Sequence, residues 1–154
     1  MKNLLLGLTL VAFACAASAQ RRPDYGPSID ITGAKKIAAA TIAECRKNSW
    51  NVAVAVVDTH GALVYFERME NTQYASNDVA IGKARAAATF QRPTRAFVDA
   101  IAKGGPAVMS LGPIYASPGG VPLMADGKVI GAVGVSGVTG DQDEQCAKAG
   151  VSAK

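Results

Sequence analysis

Asn51 to Val57 (NVAVAVV) is a near-continuous apolar run, the pattern of a strand covered on both faces. Asp58-Thr59-His60-Gly61 turns the chain and Ala62 to Met69 returns it, which predicts an antiparallel hairpin. A second hairpin is written into residues 118–147, PGGVPLMADGKVIGAVGVSGVTGDQDEQCA. There Gly119-Gly120 forms a hinge. Asp126-Gly127 is a pair that favours a two-residue turn, because both central positions tolerate positive φ. The returning strand, Val129 to Val135, has glycines at 131 and 134, which implies that another backbone or a ligand comes close to the sheet.

Helical spacing fills the intervals. Thr32 reads as the cap of a helix over about Gly33 to Lys47, with Ile37 and Ile42 among its alanines. Ser76 reads as the cap of the next, about Asn77 to Phe90. Ala80, Ala84, Ala87 and Ala88 there leave little bulk between helix and sheet. Pro93 ends it, and Thr94 to Lys103 forms a further helix with Phe97, Val98 and Ile101 on one side. Residues 106–118, with three prolines, read as a structured loop containing a short strand at most. Thr139 and Gln142 have capping-box spacing, and Asp141, Asp143 and Glu144 place negative charge at the positive end of a last helix. Two hairpins without a βαβ repeat predict an α+β fold, an antiparallel sheet with helices packed against it.

The ends change the picture of where this domain works. Lys2, the apolar run Leu4 to Ala16 and Ala17-Ser18-Ala19 have the form of a secretory signal, so residues 1–19 are expected to be cleaved. Cys15 raises a lipoprotein alternative, against which stands the absence of leucine in Ala12-Phe13-Ala14. Residues 20–30 then form a polar, proline-bearing leader expected to be mobile, and 31–154 a single domain. Without the signal, 15 basic side chains face 12 acidic ones, a mild +3 that argues against nucleic acid as a partner. No second long apolar segment follows, so no membrane span is expected. The remaining cysteines, Cys45 and Cys146, either join in a disulfide, which an oxidising compartment permits, or serve as separate buried hydrophobes.

Four stretches together resemble the GlcG/HbpS family of haem-binding domains, to which the PduO C-terminal domain is related. They are Asn51–Gly61, Phe66–Met69 (FERM), Lys83-Ala84-Arg85-Ala86 with Gln91-Arg92-Pro93-Thr94, and Gly119–Ala147. The resemblance spans about residues 30–150. It implies a five-stranded antiparallel sheet flanked by helices, assembly into dimers or larger homo-oligomers, and non-covalent binding of haem or a related tetrapyrrole. Several members of that family are exported and handle extracytoplasmic haem, iron or redox stress.

Candidate chemistry is read with that in view. His60 is the single histidine and a possible axial ligand to haem iron, although its turn accounts for a polar residue without one. Tyrosines 25, 65, 74 and 115 and methionines 69, 109 and 124 are further possible ligands. Haem propionates need cations, for which Arg68, Lys83, Arg85, Arg92 and Arg95 are available. Lys83 and Arg85 are two positions apart on a helix and cannot both face one pocket. Arg92 and Arg95 flank a helix junction whose amides could add to an anion site. Asp141, Asp143 and Glu144 could hold a metal, but they also explain themselves as helix-start residues. No nucleophile elbow, Walker motif, CxxC metal site or CxxCH is present, so catalysis and covalent haem find little support. The expectation is an exported, periplasmic or secreted, homo-oligomeric haem-binding protein, with His60, Arg68, Met69, Lys83 and Arg92 near the pocket. The alternatives are a haem-degrading or small-acid-pathway accessory enzyme, and a ligand-free structural or regulatory oligomer.

Overall fold

The computed structural model describes residues 22–153, so the expected signal segment, with Lys2 and Cys15, lies outside the described residues. The elements run α1 (Ile31–Lys47), β1 (Ala53–Val57), β2 (Leu63–Arg68), α2 (Ser76–Phe90), α3 (Arg95–Ala102), a 3-10 turn (Pro106–Ser110), β3 (Gly120–Ala125), β4 (Lys128–Ser136) and α4 (Gly140–Ser152). Both hairpins form, and they join through β1 and β4 into one antiparallel sheet of order β2-β1-β4-β3. At the second turn Asp126 and Gly127 both take positive φ, 49° and 73°, as the Asp-Gly pair predicts.

Four strands form where five were expected, and the short β1 shows why. β1 stops opposite Ala132, so the first residues of β4 run past its end. Residues 24–29 occupy that row. Val129 N–H donates to Asp24 O, Gly26 N–H to Val129 O and Ile29 N–H to Ile130 O, each at 2.8 Å. Pro23 and Pro27 bring no N–H to the ladder, and pairing stays at a single parallel bridge, Tyr25 with Val129. The stretch read as a mobile leader is thus tied to the sheet from Asp24 onward. The loop 106–118 holds a 3-10 turn in place of a strand.

Helices cover both faces. α1 and α4 lie over Val52, Val54, Val56, Val133 and Val135, and a Cys45–Cys146 disulfide joins the two helices, Cα to Cα 5.6 Å. α2 lies on the other face, its alanines against Ala53, Ala55, Val57 and Ala132. β1 is accordingly buried along its whole length. The strand glycines serve backbone approach. A Cβ on Gly134 would sit 2.1 Å from Ala80 O, and one on Gly131 2.3 Å from Val57 O. Of the two readings of those glycines, neighbouring backbone accounts for both.

Two caps differ from expectation. Asp30, with extended backbone, caps α1 by accepting from Gly33 N–H at 2.7 Å, so the helix begins before Thr32. Ser76 is not a cap: the turn carbonyls of Gln73 and Tyr74 already accept from the Ser76 and Asn77 amides. Its buried hydroxyl instead bonds the Ser136 hydroxyl at 3.2 Å. The capping box at Thr139 and Gln142 forms as read. Among the described residues no helix is long and apolar enough to cross a membrane.

Candidate functional site

The alanine face of α2 is consumed by the sheet, which leaves its opposite face, Asp78, Ile81, Gly82, Arg85 and Thr89, to line surface cavities. These positions recur at three- and four-residue steps and so form one stripe. One cavity, about 490 Å³, is bounded by Asp78, Ile81, Gly82 and Arg85 together with Pro113 and Tyr115 of the long loop. A second, about 420 Å³, is bounded by Tyr25, Gly26, Thr59, His60 and Thr89. Both fall within the range of about 300–1,000 Å³ usual for small-molecule sites. Tyr115 fills the space above Gly82, where a Cβ would lie 2.0 Å from its ring. A glycine at 82 is what lets the loop dock on the helix.

The turn that carries His60 is built from short-range polar bonds. Asp58 Oδ1 accepts from the amides of His60 (2.8 Å) and Ala62 (2.9 Å), an arrangement that Asp makes readily. Gly61 supplies the positive φ of 83° that closes the turn. The imidazole is exposed, and its Nδ1 lies 3.2 Å from Thr59 Oγ1, which is also 2.8 Å from Ser28 Oγ. Nε2 makes no hydrogen bond among the described residues. The segment 23–28 therefore helps to build this wall: Tyr25 donates its hydroxyl toward Ala88 O and Thr89 O at 3.1 Å each. Burial raises the Tyr25 phenol above its ordinary value.

The five residues singled out from the sequence do not share either of these cavities. His60 lines a cavity, and the other four line neither. Arg68, at the exposed end of β2, places its guanidinium 4.9 Å from the Tyr74 ring centroid. Met69 is buried in the core beneath α1 and α4. Lys83 is buried on the inner side of α2, with its ammonium 2.7 Å from Asp143 Oδ2 and 3.0 Å from Val135 O. Arg92 follows α2, half-buried, and donates from Nε to Phe90 O at 3.3 Å. The residues that do accompany His60 are Thr59, Thr89 and Tyr25, with Arg85 and Tyr115 further along the stripe. Of these, Arg85, Tyr25 and Tyr115 are legible by residue type alone. Their neighbourhood depends on the docking of loop and leader, which no local pattern encodes.

The acidic start of α4 is fully engaged with cations. Arg95 pairs with Asp141 and, at 2.6 Å, with Glu144, which also meets Lys148 at 3.3 Å. Asp143 answers Lys83. Burial raises the Asp143 carboxyl above its ordinary value, opposed by the Lys83 ammonium. Among the described residues no group of three or more His, Cys, Asp or Glu is placed to hold a metal.

Comparison with known proteins bears on what this arrangement serves. Residues 29–152 match the family model described as haem degrading protein HbpS-like. Protein GlcG of Escherichia coli K12 is 40% identical over 103 residues, 67% of this chain and 77% of GlcG. The crystal structure of Klebsiella pneumoniae protein ORFY superposes with a TM-score of 0.79 at 27% identity, covering 88% of this chain and 97% of that one. A PduOC:heme complex superposes with a TM-score of 0.76 at 25% identity, covering 82% and 95%. With the family model matched across the whole helix–sheet–helix unit, the chain belongs to the HbpS-like family, to which GlcG and the PduO C-terminal domain are related.

Proposed function

We propose that this protein binds haem or a related tetrapyrrole without covalent attachment, as an exported homo-oligomer that sequesters or carries it. The observation that carries the reading is His60: an exposed imidazole on a rigid turn, at the edge of a cavity of about 420 Å³ walled in part by the Tyr25 ring. His60 would supply the iron donor that the group needs. Thr59 engages Nδ1 and so steadies the ring, leaving Nε2 to meet iron, in the way a neighbouring bond orients a metal-binding histidine. Bound haem supplies an iron centre with redox and ligand-exchange chemistry that protein side chains lack. The relative solved with haem supports the same ligand class for this chain. Met69 and Lys83 keep structural roles in this reading, because core and ion pair already occupy them.

Export is supported by the signal-like start and by the Cys45–Cys146 disulfide, a bond that persists in oxidising compartments. With one histidine per chain, a bis-histidine site requires two subunits. A hemin titration of the purified protein, followed in the Soret region against a non-binding control, tests the reading. A saturable band at one haem per subunit or per dimer is expected, and a featureless, non-saturating response would overturn it. The family description favours one second reading, oxidative haem degradation. Given reductant and oxygen, a catalyst destroys haem in stoichiometric excess over protein, whereas a carrier does not.

A further inference from the structure

Arg85 belongs to one of the two cavities and touches the turn that helps to line the other. It lines the larger one, and its stem packs beneath the turn that carries His60, since a Cβ on Gly61 would lie 3.3 Å from Arg85 Cγ. Arg85 Nε donates to Gly61 O at 3.0 Å, which fixes the direction of the side chain. That bond uses one of the five guanidinium N–H groups. The four on the Nη atoms make no hydrogen bond, and Arg85 forms no ion pair, among the described residues. Asp78 shares the cavity without pairing to it. The other cations near α2 are engaged or elsewhere. Lys83 and Arg95 are neutralised by carboxylates, and Arg92 lines neither cavity. Tyr115, held above Gly82, adds an aromatic wall and a hydroxyl that is unbonded among the described residues.

The geometry points to Arg85 as the anchor for a carboxylate of the bound ligand, received in the cavity between α2 and the 113–115 loop. A planar guanidinium whose fork is still open matches a carboxylate in two parallel hydrogen bonds. The carboxylate belongs either to a porphyrin propionate, in which case the inference rests on the haem reading above, or to a free small carboxylic acid. In the propionate case His60, beside the Thr89 end of the α2 stripe, would hold the metal, and Arg85 in its middle would hold the acid.

Hemin and hemin dimethyl ester, in which the propionates are masked, separate the cases when titrated into wild type, Arg85→Gln and Arg85→Lys. Circular dichroism confirms that each variant is folded. Loss of a charged hydrogen-bond partner is expected to weaken hemin binding about ten- to a hundredfold in Arg85→Gln. Arg85→Lys should retain part of the affinity, and the dimethyl ester should bind wild type and Arg85→Gln alike. Equal hemin affinity in wild type and Arg85→Gln would overturn the anchor, as would an equal loss for hemin and its ester. If wild type binds no hemin, the haem reading fails separately, and succinate takes the place of the probe. Succinate-induced NMR shifts at Tyr115 that vanish in Arg85→Gln would then uphold the carboxylate site, and their absence in wild type would overturn it.

Discussion

Lys83 and Arg85 stand two positions apart on α2 and meet opposite surroundings. Lys83 turns inward to a carboxylate and a carbonyl at 2.7 and 3.0 Å, with almost no exposure. Arg85 turns outward and holds the His60 turn by its carbonyl. A buried pair like Lys83–Asp143 gains little over apolar packing, but stranding one charge is costly. Lys83→Met alone should therefore lose about 3–5 kcal/mol of stability in urea unfolding, while Lys83→Met with Asp143→Leu recovers part of it, because Asp143 also accepts from the Val138 amide. A single variant as stable as wild type would show that the pair adds nothing to stability. Helical geometry makes it legible that the two cations diverge. Which one faces the sheet depends on the alanine stripe being the buried face, and the partner, Asp143, lies 60 residues away. That distance is why Lys83 reads from the sequence as a ligand-binding cation.

At the scale of elements, local chemistry reaches far and then stops. Apolar runs, the Asp-Gly turn and the capping box at Thr139 locate the strands, the second hairpin and the start of α4. Asp30 and Thr32 are both good caps two residues apart, and propensity alone does not choose between them. The row of β4 beyond β1 is filled by residues 24–29, a pairing between segments 101–105 residues apart that carries no periodic signal. The same separation governs the bond between α1 and α4, since Cys45 and Cys146 are 101 residues apart. A cross-link over so long a loop constrains the unfolded chain strongly, and replacing both cysteines by alanine should cost about 2–5 kcal/mol. Thermal unfolding with and without reductant checks this. Reductant should lower the wild-type midpoint toward that of the double variant, and identical midpoints throughout would show that the bond contributes nothing.

For the whole molecule, the layers divide the labour. The α1–α4 side is closed by valines and a disulfide, and the α2 side leaves a helix face, a turn and a long loop to meet a ligand. Assembly is the part of the proposed function that belongs to this scale. Sedimentation equilibrium should accordingly return a multiple of the subunit mass, and a monomer at all concentrations would contradict the homo-oligomer. In the proposed function His60 holds the metal of the bound tetrapyrrole. The most direct measurement is the absorption and electron paramagnetic resonance spectrum of the ferric hemin complex in wild type and His60→Ala, before and after added imidazole. The expected result is a histidine signature in wild type that is lost in a folded His60→Ala and restored by imidazole. A His60→Ala complex with the wild-type spectrum would remove His60 as the ligand.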